Sequence, residues 1–303
     1  MTKIRSTNDS NIQDRRGQGG GGMSFPGLGR TGGGLPIPTK GGGGILGLLV
    51  IAAIIFLPRL LGGDGGTSLI TPDGAQNENA GGNEGGEKCQ TEAEQIVCGA
   101  FNDAQAFWTD AYPAAFSGAY EVTDLVFFSG SVGTDCGQAS SQTGPFYCPA
   151  DHFVYIDLDF LETLQSDFGA EGDLATQYIV AHEVGHHVQN VNGTNAQVQN
   201  ATGEQQRLLG VALELQADCL AGVWVNDADR RRNDAGEDLI DQNELSEALG
   251  AAAAVGDDRI QQQTQGRVDE DSFTHGSSAQ REQWFRRGYD TGDPNQCDTF
   301  AEL

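Results

Sequence analysis

The sequence predicts an α+β fold, a small sheet followed by a mainly helical region. Two runs, Glu121–Ser129 and His152–Phe160, are rich in β-branched and aromatic residues and read as strands. From Asp173 onward apolar residues recur at intervals of three and four, the helical period. Strands grouped ahead of helices, rather than alternating with them, point to α+β. The long Gly-rich stretches 17–44 and 62–86 hold too few apolar side chains to offset the entropy of ordering them. Folding is therefore expected over residues 87–303, with residues 1–44 as a disordered basic tail and 62–86 as a flexible linker.

The elements of the folded part follow in order. Ala93–Trp108 places Ile96, Val97, Ala100, Phe101, Ala104, Phe107 and Trp108 on one helical face. After the first strand comes a Gly/Ser-rich loop with Cys136 and Cys148, then the second strand. Leu174–Val191 reads as a helix stopped by Asn192-Gly193. Three more are expected at Gln205–Val225, Glu244–Gln263 and Ser277–Tyr289, the last with Ser277 or Ser278 as N-cap.

Ile45–Leu57 carries no charge, and with its flanks the apolar stretch is about 17–20 residues, near the length that crosses a bilayer. No small-residue cleavage site follows closely. Residues 45–61 are thus expected to form one uncleaved transmembrane helix, with a cleaved signal peptide as the alternative. Residues 1–44 hold six basic and two acidic residues, so +4 of the net charge of −26 lies before the span and −30 after it. The positive-inside rule then places the N-terminus in the cytoplasm and residues 87–303 outside the cell membrane. All six cysteines (Cys89, Cys98, Cys136, Cys148, Cys219, Cys297) follow the apolar segment, which agrees with an oxidising compartment. Short loops favour Cys89–Cys98 and Cys136–Cys148, leaving Cys219–Cys297. The acidic balance repels phosphate backbones and argues against nucleic acid as a partner.

The chemistry concentrates in His182-Glu-Val-Gly-His186. Four residues are one helical turn plus about 40°, so both imidazoles share a face within reach of one metal ion. Such a pair suits Zn²⁺, and Glu183 beside the first ligand is placed to act as general base and then acid toward an activated water. Glu214 stands in the next helix and can complete a His₂Glu site, since Leu208, Leu209, Val211, Ala212, Leu215 and Leu220 make that helix largely buried and a buried carboxylate needs a partner. Asp218, four residues on, is placed to hold the far nitrogen of a ligand histidine. His152 is a less favoured third ligand. His187 is rotated about 100° from His186 and is expected to pack rather than bind metal. His275 is the candidate for stabilising an oxyanion. Asp257-Asp258 and Asp269-Glu-Asp271 lack the spacing of a calcium loop and are read as solvated or structural. No G-x-S-x-G elbow is present, and serine and cysteine protease chemistry finds no support.

His182-Glu-Val-Gly-His186 with Glu214-x-x-Ala-Asp218 resembles the zincins whose third ligand is a glutamate. More narrowly, the chain is similar to the bacterial putative neutral zinc metallopeptidase family. The similarity is carried by these motifs together with Gly144-Pro-Phe-Tyr-Cys-Pro-Ala-Asp151, Val154-Tyr-Ile-Asp157, Val255-Gly-Asp-Asp258, Thr274-His-Gly-Ser-Ser278, Arg281, Trp284-Phe285 and Gly288. It implies a zincin-like fold, one Zn²⁺ per chain and hydrolysis of peptide bonds in a peptide or protein substrate. The expected function is that of a membrane-anchored zinc metallopeptidase. The alternatives are a tethered domain with non-catalytic zinc and a metal hydrolase acting on cell-wall amides.

Overall fold

The computed structural model describes residues 4–17, 88–168, 172–234 and 240–302. The expected transmembrane segment 45–61 and linker 62–86 lie outside these residues. Strand β1 (Ile12–Asp14) comes first, followed by helix α1 (Glu92–Ala115) and strands β2 (Leu125–Phe128), β3 (Ser131–Thr134), β4 (Gly137–Ser140), β5 (Phe146–Cys148) and β6 (Phe153–Asp157). The rest is helical: α2 (Leu158–Phe168), α3 (Asp173–Val191), α4 (Thr194–Asn200), α5 (Gly203–Asp234), α6 (Gln242–Ala254), α7 (Asp257–Gln265) and α8 (Ser278–Thr291). The architecture is α+β, as expected.

The main sheet has the order β1-β2-β6-β5, with β1, β2 and β6 parallel and β5 antiparallel to β6. Alternation along the strands sends Leu125, Phe127, Val154 and Ile156 toward the helices. Val126, Phe128 and Tyr155 face the other way, under the β3–β4 hairpin and the Cys136–Cys148 disulfide. Cys89–Cys98 and Cys219–Cys297 are the other two bridges.

Several elements depart from the sequence expectation. Residues 4–17 are not part of a disordered tail: β1 pairs with β2 in the register Ile12↔Leu125, and Ile12 is buried. The second strand stops at Asp157, whose Oδ1 accepts the Asp159 N–H at 3.0 Å and opens α2. Glu244–Gln263 is two helices rather than one. Its break falls at Val255-Gly256, where the chain passes so close to Ser278 that a Cβ on Gly256 would lie 2.4 Å from the Ser278 nitrogen. The Gly/Ser-rich loop folds into β3, β4 and β5. α1 runs on to Ala115, with Pro113 in its last turn.

α3 is the central helix. Leu174 through Gln189 are all buried, enclosed by α1, α5 and α6. α5, long and apolar enough by composition to cross a membrane over Gly203–Arg231, is mostly buried here as a core helix. It packs on α8 backbone to backbone. A Cβ on Gly288 would lie 1.9 Å from the Cys219 oxygen, and one on Gly222 would lie 2.1 Å from the Phe285 oxygen. Only glycine fits at either position, and this contact sets where α8 stands relative to the residues of α5.

Candidate metal centre

α3 and α5 pack against each other and bring His182, His186 and Glu214 together. Their donor atoms lie within 4.8 Å of one another, and all three residues are buried. The two Nε2 atoms are 3.1 Å apart. Glu214 Oε2 is 3.3 Å from His182 Nε2, and its Oε1 is 3.5 Å from His186 Nε2. Glu214, not His152, is therefore the third member of the cluster.

The partners of the other ring nitrogens decide how these groups are used. His182 Nδ1 meets Asp218 Oδ1 at 2.8 Å. His186 Nδ1 meets Gln189 Oε1 at 2.9 Å, and the Gln189 amide is oriented by donating from Nε2 to the Leu213 carbonyl at 2.7 Å. Both Nδ1 atoms are thus donors, so in the neutral rings both Nε2 lone pairs point into one space beside a carboxylate. Three electron-rich donors facing each other repel unless a cation lies between them, so the arrangement fits a metal ion.

The titration tendencies agree. Burial works against charge on His182, yet the Asp218 carboxylate and hydrogen bonds to Asp218 and Glu214 raise its pKa to about 9. Burial likewise opposes charge on His186, and Glu214 outweighs it, so the pKa is raised. Glu214 is held well below the usual carboxylate range despite its burial, by His186, His275 and the hydrogen bonds from both imidazoles. The pocket favours positive charge at its centre. Glu183 lines the same cavity, and burial pushes its carboxyl up, against the pull of His182 and His186.

His275 is buried and also lines this cavity. Its Nδ1 faces Thr274 Oγ1 at 2.8 Å and Asp257 Oδ1 at 3.3 Å, which leaves Nε2 for the cavity. Asp257 Oδ2 accepts the backbone N–H groups of Thr274, His275 and Gly276 at 2.7, 2.6 and 3.1 Å. Asp257 is therefore a structural anchor for the His275 turn rather than a solvated acid. His187 turns away from the cluster, between the Tyr147 hydroxyl at 3.0 Å and the Glu121 carbonyl at 2.5 Å.

Three further residues at the site lie outside the sequence motifs that pointed to it. Arg281, on α8, is buried and grips Asp218 with both faces of its fork, Nε to Oδ2 at 2.8 Å and Nη2 to Oδ1 at 2.9 Å. Tyr178 donates to the same Oδ1 at 2.5 Å. Gln189 fixes the second histidine. Arg281 was detectable, because it shares a helix face with Trp284, Phe285 and Gly288, and an arginine on an apolar face needs a buried anion. Gln189, one turn beyond His186, carried no signal separating it from a surface amide.

The family described as putative neutral zinc metallopeptidase matches residues 1–300 of this chain. The chain belongs to this family. Among similar proteins is the uncharacterized protein YpfJ of Escherichia coli K12, 40% identical over 296 residues and covering 96% of both chains. The uncharacterized protein Rv2575 of Mycobacterium tuberculosis H37Rv is 48% identical over 206 residues, 66% of this chain and 68% of that one. No solved structure matches the chain.

Proposed function

We propose that this protein is a zinc-dependent peptidase. The observation that carries the reading is the convergence of three buried donors, two imidazoles and one carboxylate, beside a second carboxylate that is not among them. Structural zinc sites are closed by four protein ligands, whereas catalytic sites keep three and an open position. When bound, the ion supplies Lewis-acid polarisation of the scissile carbonyl and acidifies a water. His182, His186 and Glu214 would hold it. Glu183, with its carboxyl pushed up by burial, takes the proton from the attacking water and delivers it to the leaving amine. With the Thr274 hydroxyl donating to its Nδ1, His275 carries its proton on Nε2 and would donate from there to the oxygen that gains charge as the carbonyl is attacked.

The substrate path follows from the sheet. The two strands expected from the sequence, now β2 and β6, are both interior and have no free edge to offer a peptide. Among the described residues β5 is an edge strand, and residues 143–146 leading into it line the cavity. An extended peptide pairing along β5 brings a backbone amide to the donors. Phe146, Phe160, Ile179 and Val255 form an apolar wall there, which suits an uncharged side chain beside the scissile bond.

Glu183→Gln tests the assignment. The variant is expected to retain one zinc per chain by elemental analysis and to lose at least a thousandfold in hydrolysis of a denatured protein. Undiminished turnover would remove Glu183 from the mechanism. A wild-type protein with zinc but inactive on every peptide would favour a non-peptide substrate.

A further inference from the structure

The N-terminal segment is built into the domain along its whole described length. The Ile4 carbonyl accepts from Gln177 Nε2 of α3 at 3.0 Å, and the Ser6 N–H donates to the Gln95 carbonyl of α1 at 3.1 Å. Asn102 Nδ2 donates to the Asn8 carbonyl at 2.9 Å. The Leu125 N–H donates to Asn11 and the Arg15 N–H to Phe127, at 2.9 and 2.8 Å, either side of the strand pairing. Gly99 shows how close the fit is: a Cβ there would lie 2.5 Å from the Ile4 oxygen and 2.7 Å from Arg5 Cα.

The basic residues that suggested a cytoplasmic N-terminus are engaged in this same packing. Arg5 pairs with Glu92 at 2.8 Å and Asp173 at 2.9 Å. Arg16 pairs with Glu94 at 2.6 Å and lies over the Phe127 ring. Arg15 lies over Phe153 and Tyr155. These three of the six basic residues before the apolar segment have partners within the domain, so they are not evidence of a tail facing anionic lipid.

Where the segment ends, the chain that follows returns to the same place. The Lys88 N–H donates to Asp9 Oδ2 at 3.2 Å and Lys88 Nζ to the Ile12 carbonyl at 2.6 Å. Gly17 and Lys88 thus belong to one folded body, with residues 18–87 between them. A chain that leaves and rejoins one body crosses any bilayer an even number of times. Two crossings need about 40 apolar residues, since each helical span takes about 20. Residues 18–87 contain a single long apolar run, Ile45–Leu57. The even number is then zero. We infer that Ile4–Gly17 and the site-bearing domain occupy one compartment. The three disulfides assign that compartment to the oxidising side. This replaces the single-pass arrangement expected from the hydropathy and charge of the sequence.

Thiol labelling of the full-length chain in cells tests the inference. The native cysteines are paired, so Thr7→Cys and Gln283→Cys, both at exposed positions, each introduce one free thiol. A membrane-impermeant maleimide, applied with the cytoplasmic membrane sealed, is expected to label both variants to the same extent. Labelling of Gln283→Cys with Thr7→Cys protected until lysis would overturn the inference. Trypsin digestion of the purified full chain tests the packing by itself. Arg15 and Arg16 are expected to resist cleavage in the native protein and to be cut at least tenfold faster in Gly99→Val, where the segment is displaced. Cleavage at those arginines in the native protein as fast as in Gly99→Val would also overturn it.

Discussion

Asp218 and Arg281 lie 63 residues apart in sequence and share two hydrogen bonds inside the fold. Burial disfavours the Asp218 carboxylate, but the Arg281 charge and the hydrogen bonds from His182 and Arg281 hold its pKa below the usual range. The anion then fixes the His182 tautomer. Arg281→Met is expected to weaken zinc binding about 10–100-fold, read by competition with a chelator, because the orienting carboxylate loses its counter-charge. It should also destabilise the protein by about 3–5 kcal/mol in chemical denaturation. Arg281→Lys keeps the charge without the fork and should fall between the two. His187 makes a separate prediction. Its Nε2 donates to the Glu121 carbonyl, so Nδ1 accepts from Tyr147, and the ring must stay neutral. Burial lowers its pKa from 6.5 to about 4. The unfolded chain therefore binds a proton at higher pH than the folded one. The stability contributed by neutral His187 is complete above 6.5 and is lost as pH falls toward 4, on the order of 3 kcal/mol. Urea midpoints at pH 7 and pH 4.5 should differ less in His187→Gln than in the native protein. The three clustered donors were legible because His182 and His186 are local in sequence and Glu214 sits on a buried helix. The groups that position them were harder to read, because Arg281 reaches Asp218 only through tertiary packing.

Among the elements, α5 and α8 show how backbone contact places side chains. Gly222 and Gly288 let the two helices touch without intervening side chains. Gly288→Val is expected to cost at least about 3 kcal/mol by overpacking, measured by thermal or chemical unfolding. It should also weaken zinc binding, because Arg281 lies two turns earlier on the displaced helix. The long helices were readable from period alone, α3 within one residue at its start. Short elements were not. β5 has three residues, and its place at the sheet edge depends on pairing with β6 rather than on its own pattern. The break between α6 and α7 came from a close approach to α8, which leaves no trace in local periodicity.

For the whole molecule, the distances in sequence between contacting parts are large. β1 was invisible in the sequence because its partner strand lies more than a hundred residues away and its own three residues carry no alternation. At the other end, Cys297 is bonded to Cys219, and its carbonyl accepts from Gln216 Nε2 at 2.9 Å, so the chain after α8 is fastened to the helix bearing Glu214 and Asp218. Cys219–Cys297 closes a separation of 78 residues and Cys89–Cys98 one of 9. Loop-closure entropy assigns about 4.5 kcal/mol to the first and about 2.6 kcal/mol to the second. Replacing both members of the long bridge with alanine should therefore lower Tm more than the same change at the short one. The fastening also has a consequence in time. A growing chain emerges with His182, His186 and Glu214 well before Arg281 and Cys297. At about 5–20 residues per second, the 83 residues from Glu214 to Cys297 take about 4–17 seconds to make. During that interval the cluster lacks its buried arginine and its covalent clamp. The three converging donors are thus made well before the groups that hold them in place.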